Sequence, residues 1–238
     1  MGSMLYQASL LQALALGEYD GLITIGELKK NGNMGIGTFD GLDGEMVMLD
    51  GIVYKASADG TVSVVNDDVT TPFANVTFAA DDLSKTVTAT SMKGLNEELD
   101  GVVASEGINS VYFIRLDGTF DNIRVRSVSR QKRPYRKLAD ALSSEQFEWT
   151  LKEIGGTVVG LYCPSYMSAV NNHGWHLHFI SDDRKKGGHV LDLSVEKGKC
   201  TFTKVDSLKI LLPDNGSFHS LDLSQDQERD IKRIEGTE

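Results

Sequence analysis

Gly174-Trp175-His176-Leu177-His178-Phe179-Ile180, a polar turn from Ser181 to Gly188, and His189-Val190-Leu191-Asp192-Leu193 together decide how the fold is read. In an extended strand, residues two apart point to the same face, so His176 and His178 project together while Trp175, Leu177 and Phe179 face the other way. The intervening Ser-Asp-Asp-Arg-Lys-Lys-Gly-Gly is rich in turn formers and folds the chain back, which brings His189 beside His178 on an antiparallel neighbour. The expectation is a β-hairpin on which three of the chain's five histidines converge.

Neutral imidazole is a favoured zinc ligand, and three protein ligands with a fourth position open distinguish a catalytic zinc site from a closed structural one. No cysteine lies nearby to close it. Iron, manganese and nickel also accept imidazole, so spacing alone does not name the ion. The competing reading is a chance His-x-His pair on a half-exposed strand, and the third histidine after the Gly-Gly turn is what favours metal. His173 and His219 lack partners at ligand spacing and are read as ordinary polar residues.

Outward from the hairpin, a chain of 238 residues with 40% hydrophobic and 24% charged residues is long enough for a substantial core and ordinary in composition. A formal net charge of −10 argues against binding nucleic acid or an anionic membrane surface, both of which need net positive charge. No apolar run approaches the ~18 residues of a membrane span, and no basic segment leads an apolar core as in a signal peptide. Cys163 and Cys200 are far apart in sequence and form no Cys-x-x-Cys, which fits a reducing cytoplasm.

Taken in order, residues 5–16 have the composition and leucine spacing of an amphipathic helix stopped by Gly17. Residues 19–65 read as antiparallel β structure, with runs at 21–28 and 45–54, and a strand follows at 76–78. Residues 81–99 mix a Thr-Val-Thr-Ala-Thr run with a helix-like segment. Residues 110–116 and 122–128 alternate around Asp117-Gly118 and predict a hairpin. A second helix is expected over 138–153, ended by Gly155-Gly156, with strands at 157–162, 199–205 and 207–212 before an acidic tail.

The expected class is α/β, mixed β-sheets with few helices, in an N-terminal β-rich domain (residues 1–137) and a C-terminal metal-binding domain (residues 138–238). The two halves echo one another: Gly37-Thr38-Phe39 leading to Gly44-Glu45-Met46-Val47 parallels Leu177-His178-Phe179 leading to Gly188-His189-Val190-Leu191. This sets Thr38 against His178 and Glu45 against His189. Between residues 122 and 137 stand Arg124, Arg126, Arg130, Lys132, Arg133, Arg136 and Lys137 without one acid. Such a run is either a solvated face or a patch for a small anion, and an arginine on a sheet face suits a two-point grip on a carboxylate.

The histidine stretch resembles the metal-binding signature of the α-acetolactate decarboxylases. Other family-like segments follow in the expected order: Tyr19-Asp20-Gly21, Gly35-Ile36-Gly37-Thr38-Phe39, Leu42-Asp43-Gly44-Glu45, Leu49-Asp50-Gly51, Thr71-Pro72-Phe73-Ala74, and Val125-Arg126-Ser127-Val128 leading to Pro134-Tyr135. The resemblance implies a zinc-dependent conversion of 2-acetolactate to acetoin and CO2 by a homodimer, with His176, His178 and His189 as metal ligands. It implies Arg126 as the active-site arginine that holds the carboxylate, Thr38 as a substrate contact, and Glu45 and a C-terminal glutamate as proton-handling residues. Glu235 fits that last role best, with Glu238 the alternative register. The rivals are a three-histidine metal hydrolase, which activates water with the same groups, and a non-catalytic metal or small-anion binding module. A cupin-like oxygenase also carries His-x-His, but here Phe-Ile-Ser-Asp-Asp follows where its glutamate belongs.

Overall fold

Leu5, Tyr6, Gln7 and Ala8 are all buried, with Leu5 in one core cluster and Tyr6 in another. Burial of consecutive side chains on opposite faces is the behaviour of a strand inside a sheet, not of a one-sided helix. The helix expected over residues 5–16 is therefore a strand, β1 (Ser3–Ala8), followed by the five-residue helix α1 (Leu11–Ala15). Parallel pairing with the C-terminal strand overrides the helical composition, since tertiary packing outweighs propensity.

The computed structural model describes residues 2–168 and 170–224. After α1 come β2 (Ile23–Thr24), α2 (Ile25–Leu28), β3 (Met34–Thr38), β4 (Glu45–Leu49), β5 (Ile52–Ala56), β6 (Val62–Val64), β7 (Thr70–Thr71) and β8 (Ala74–Thr77). The chain continues through β9 (Leu83–Ala89), α3 (Met92–Glu106), β10 (Val111–Val128), α4 (Leu138–Glu145), β11 (Gln146–Cys163), β12 (Gly174–Ser181), β13 (Gly187–Leu211) and α5 (Gly216–Ser220). The molecule is strand-rich with few helices, as its pattern predicts. No helix among the described residues is long and apolar enough to cross a membrane.

Eleven strands form one sheet, in the order β10-β11-β12-β13-β1-β8-β3-β4-β5-β6, with β9 paired to β13. Because β10 also pairs with β13, strands β10 to β13 close on themselves into a barrel core. The ladders of β10 with β11 and β13 span a boundary placed after residue 137. Within the barrel, Phe120, Phe179 and Leu193 belong to one hydrophobic cluster, which α3 covers with Leu95, Leu99, Val102 and Val103. Leu5, Ile36, Val47, Leu161 and Ile180 belong to a second cluster that joins the N-terminal strands to the barrel.

Two further expectations are corrected. Asp117-Gly118 is no hairpin turn, because β10 runs unbroken through it. Gly118 lies opposite Gly156 on one side and Gly198 on the other, and a Cβ there would sit 2.7 Å from the Lys197 carbonyl. Asp117 is satisfied within the sheet, accepting from Thr157 Oγ1 at 2.6 Å and from Arg115 Nε at 2.7 Å. The helix expected to reach residue 153 ends at Glu145, because from Gln146 onward Phe147, Trp149 and Leu151 alternate with Glu148, Thr150 and Lys152 and pair against β10.

Candidate active site

His178 on β12 and His189 on β13 are direct cross-strand partners, and β10 sets Arg126 opposite His189. Residues directly opposite share a face, so His178, His189 and Arg126 stand in one transverse row. His176 joins that face two residues earlier on β12. The hairpin thus brings the three predicted histidines together in the buried interior, with one ring nitrogen of each within 4.8 Å of the others. His176 Nε2 lies 3.0 Å from His178 Nε2 and 3.1 Å from His189 Nδ1. A tetrahedral ion with nitrogens at about 2.0–2.1 Å holds them roughly 3.3 Å apart, so this donor set fits one ion.

The protonation state also fits. The Met46 carbonyl of β4, which can only accept, lies 2.8 Å from His178 Nδ1. Nδ1 therefore carries the proton, and Nε2 keeps its lone pair for a metal. Desolvation pushes the His176 pKa down to about 3, and the Arg126 guanidinium adds to the shift. His178 is held well below the usual imidazole range by desolvation, then by the imidazole of His176 and by Arg126, against the raising effect of the Met46 carbonyl.

Glu45 enters from the opposite hairpin. It starts β4 directly across from Thr38 on β3, and its Oε2 stands 3.6 Å from His178 Nε2. That is longer than a hydrogen bond but close enough to reach an ion or substrate held by the imidazoles. Thr38 donates its hydroxyl to the Gly44 carbonyl at 2.7 Å. With its proton committed to the turn, Thr38 faces a ligand only as an acceptor.

Of the basic run, Arg124, Arg130, Arg133 and Arg136 pair with Glu148, Asp40, Asp20 and Glu145. Arg126 differs: it is buried, its Nη1 donates to Gln146 Oε1 at 3.1 Å, and its Nε meets no acceptor among the described residues. A buried guanidinium with an unmatched N–H is costly alone and well suited to an incoming carboxylate. Arg126, Glu45, Thr38 and the three histidines line one small cavity of about 40 Å³. Leu11 and Leu14 of α1, Leu42, Phe73, Val128, and Leu138 and Leu142 of α4 form its apolar wall. Glu235 and the alternative Glu238 lie outside the described residues.

The sequence model of the family described as alpha-acetolactate decarboxylase matches residues 5–225. The chain belongs to the alpha-acetolactate decarboxylase family. It is 43% identical over 234 residues to the alpha-acetolactate decarboxylase of Methanosarcina mazei, covering 98% of this chain and 80% of that one. The crystal structure of the alpha-acetolactate decarboxylase from Bacillus subtilis strain 168 superimposes with a TM-score of 0.94 at 32% identity, covering 98% of this chain and 99% of that chain. A Staphylococcus aureus protein of unknown function, described as similar to alpha-acetolactate decarboxylase, gives a TM-score of 0.92 at 29% identity, covering 98% and 100%. Membership in this family makes the protein an enzyme of the carboxy-lyase class.

Three parts of this candidate site escape a reading of the sequence. The Met46 carbonyl is a backbone group on the other hairpin, and no residue type announces it. The apolar wall comes from short helices and turns scattered from Leu11 to Leu142, where each leucine reads as ordinary core. Gln146 sits where the helix pattern gives way to strand, and the alternation from Phe147 onward is the signal that would have placed it beside Arg126.

Proposed function

We propose that the protein decarboxylates 2-acetolactate to acetoin and CO2, using a zinc ion held by His176, His178 and His189. The observation that carries this reading is the row of His178, His189 and Arg126 facing Glu45 across one cavity. A carboxylate grip, a three-imidazole donor set and a carboxyl group for proton handling are the parts this reaction needs.

Held by His176, His178 and His189, the ion would supply a Lewis acid, an electron sink for the bond that breaks. Arg126 binds the carboxylate and orients it so that the carbon–carbon bond aligns with the ketone π system. The electron pair left by CO2 then passes into the ketone, giving an enediolate. Glu45, in its acid form, delivers a proton to carbon on one face of that species, which yields acetoin. The apolar wall excludes water and packs against the substrate's methyl groups.

The free, buried cysteines Cys163 and Cys200 support a reducing cytoplasm, and the family resemblance supports a homodimer, which light scattering after gel filtration checks. The deciding experiment measures acetoin and CO2 from racemic 2-acetolactate with chelator-stripped protein reloaded with zinc, iron, manganese or nickel. Metal-dependent acetoin, highest with zinc, is expected. Bound metal with no acetoin above the spontaneous rate would overturn the reading.

A further inference from the structure

Among the described residues, Arg126 is held not by a carboxylate but by an amide. Its Nη1 donates to Gln146 Oε1 at 3.1 Å, Gln146 Nε2 donates to Glu148 Oε1 at 2.6 Å, and Glu148 Oε2 accepts from Arg124 Nη1 at 3.3 Å. The chain runs from exposed Arg124 and Glu148 inward to buried Arg126. Register builds it: Arg126 pairs with Glu148 and Val128 with Gln146 across β10 and β11.

The amide has one workable orientation. Its oxygen faces a cationic N–H and its nitrogen faces a carboxylate oxygen, so a flipped amide would set donor against donor and acceptor against acceptor. Glu148 therefore fixes Gln146, and Gln146 fixes Nη1. In a guanidinium, Nε–H and the Nη2–H beside it form a parallel fork on the edge away from Nη1. Nε is the buried atom that meets no acceptor among the described residues.

We propose that Gln146 is a positioning residue that anchors Arg126 through Nη1 and so keeps the Nε–Nη2 edge presented to the substrate's carboxylate. A neutral anchor suits this task, because an acid in its place would neutralise the guanidinium and compete with the substrate. The inference rests on the reading that Arg126 takes that carboxylate.

The test compares two probes by calorimetry on the metal-loaded protein. One is 2-hydroxy-2-methylpropanoate, which carries the carboxylate and hydroxyl but has no ketone through which to decarboxylate; the other is acetoin, which has no carboxylate. Gln146→Met, of similar length and without hydrogen-bonding groups, is expected to weaken the carboxylate probe about tenfold, since hydrogen bonds to charged groups are the stronger kind. Acetoin binding should stay within about twofold, as the anchor acts only through the charged fork. Should Gln146→Met not fold, Glu148→Leu at the exposed end carries the same comparison, with a loss of about threefold confined to the carboxylate probe.

Equal weakening of both probes would assign Gln146 a merely structural role and overturn the inference. So would unchanged carboxylate binding in Gln146→Met while Arg126→Ala loses it. Unchanged binding in Arg126→Ala would overturn the carboxylate reading of Arg126, and the inference with it.

Discussion

Two hairpins face each other across the cavity, built alike and loaded differently. In the N-terminal one, Thr38, Glu45 and Ala56 are successive partners across β3, β4 and β5; in the C-terminal one, His178, His189 and Arg126 are successive partners across β12, β13 and β10. The residue before the middle position is a glycine with positive φ in both, Gly44 at 87° and Gly188 at 148°. A Cβ would sit 2.6 Å from the Ala56 carbonyl at Gly44 and 2.4 Å from the Arg126 carbonyl at Gly188, so both positions require glycine. Ser127, next to Arg126, donates to the Ala56 carbonyl at 2.7 Å and ties the two rows together. One backbone plan thus presents two imidazoles and a guanidinium on one side, a hydroxyl and a carboxylate on the other. The site's division of labour lies in side chains, not in geometry.

If the C-terminal hairpin alone makes the metal centre, His178→Ala should lower acetoin formation by about a thousandfold or more, roughly 4 kcal/mol of barrier. Metal analysis of the purified variant should show the ion lost.

The same hairpin alone carries imidazoles that burial must keep neutral. For His176 the folded pKa, about 3, lies below the unfolded value near 6.5. Below that unfolded value the unfolded chain binds a proton that the native state refuses, so stability is present at neutral pH and is lost as pH falls toward 3. Unfolding free energies from urea titration of metal-free protein at about pH 7 and about pH 4.5 should differ by roughly 3 kcal/mol from this residue. His176→Gln should remove that part of the slope; an unchanged slope would break the distinction between the hairpins.

On the opposite hairpin, Glu45→Gln should lower kcat about a hundredfold, roughly 2.7 kcal/mol, with metal content retained. Loss of the ion in this variant would make Glu45 a metal ligand and blur the comparison.

The smallest effect belongs to Thr38→Val. The buried Gly44 carbonyl loses its side-chain donor, which should cost about 1 kcal/mol in thermal or urea unfolding, with acetoin formation within a few-fold of the parent.

The C-terminal hairpin was legible because its chemistry is written in consecutive side chains: two histidines at strand spacing, a turn, and a third histidine. The echo between the halves was legible too, and Thr38 with Glu45 does occupy the register of His178 with His189. Long-range pairing was not. Residues 5–8 form a strand because β13 and β8 flank them, and Asp117-Gly118 stays straight because Gly156 and Gly198 leave room on both sides. The basic run reads as either a solvated face or an anion patch because its acidic partners Asp20, Asp40, Glu145 and Glu148 lie elsewhere in sequence. Only the fold reveals that, among the described residues, Arg126 alone of the run's arginines lines the cavity.

The most direct measurement is zinc titration of stripped parent, His178→Ala and Glu45→Gln proteins, with acetoin from 2-acetolactate assayed at each point. The account predicts one equivalent of zinc bound by the parent and by Glu45→Gln, none by His178→Ala, and rapid acetoin formation only by the zinc-loaded parent. Zinc retained by His178→Ala, or a saturated parent that makes no acetoin beyond the uncatalysed rate, would contradict it.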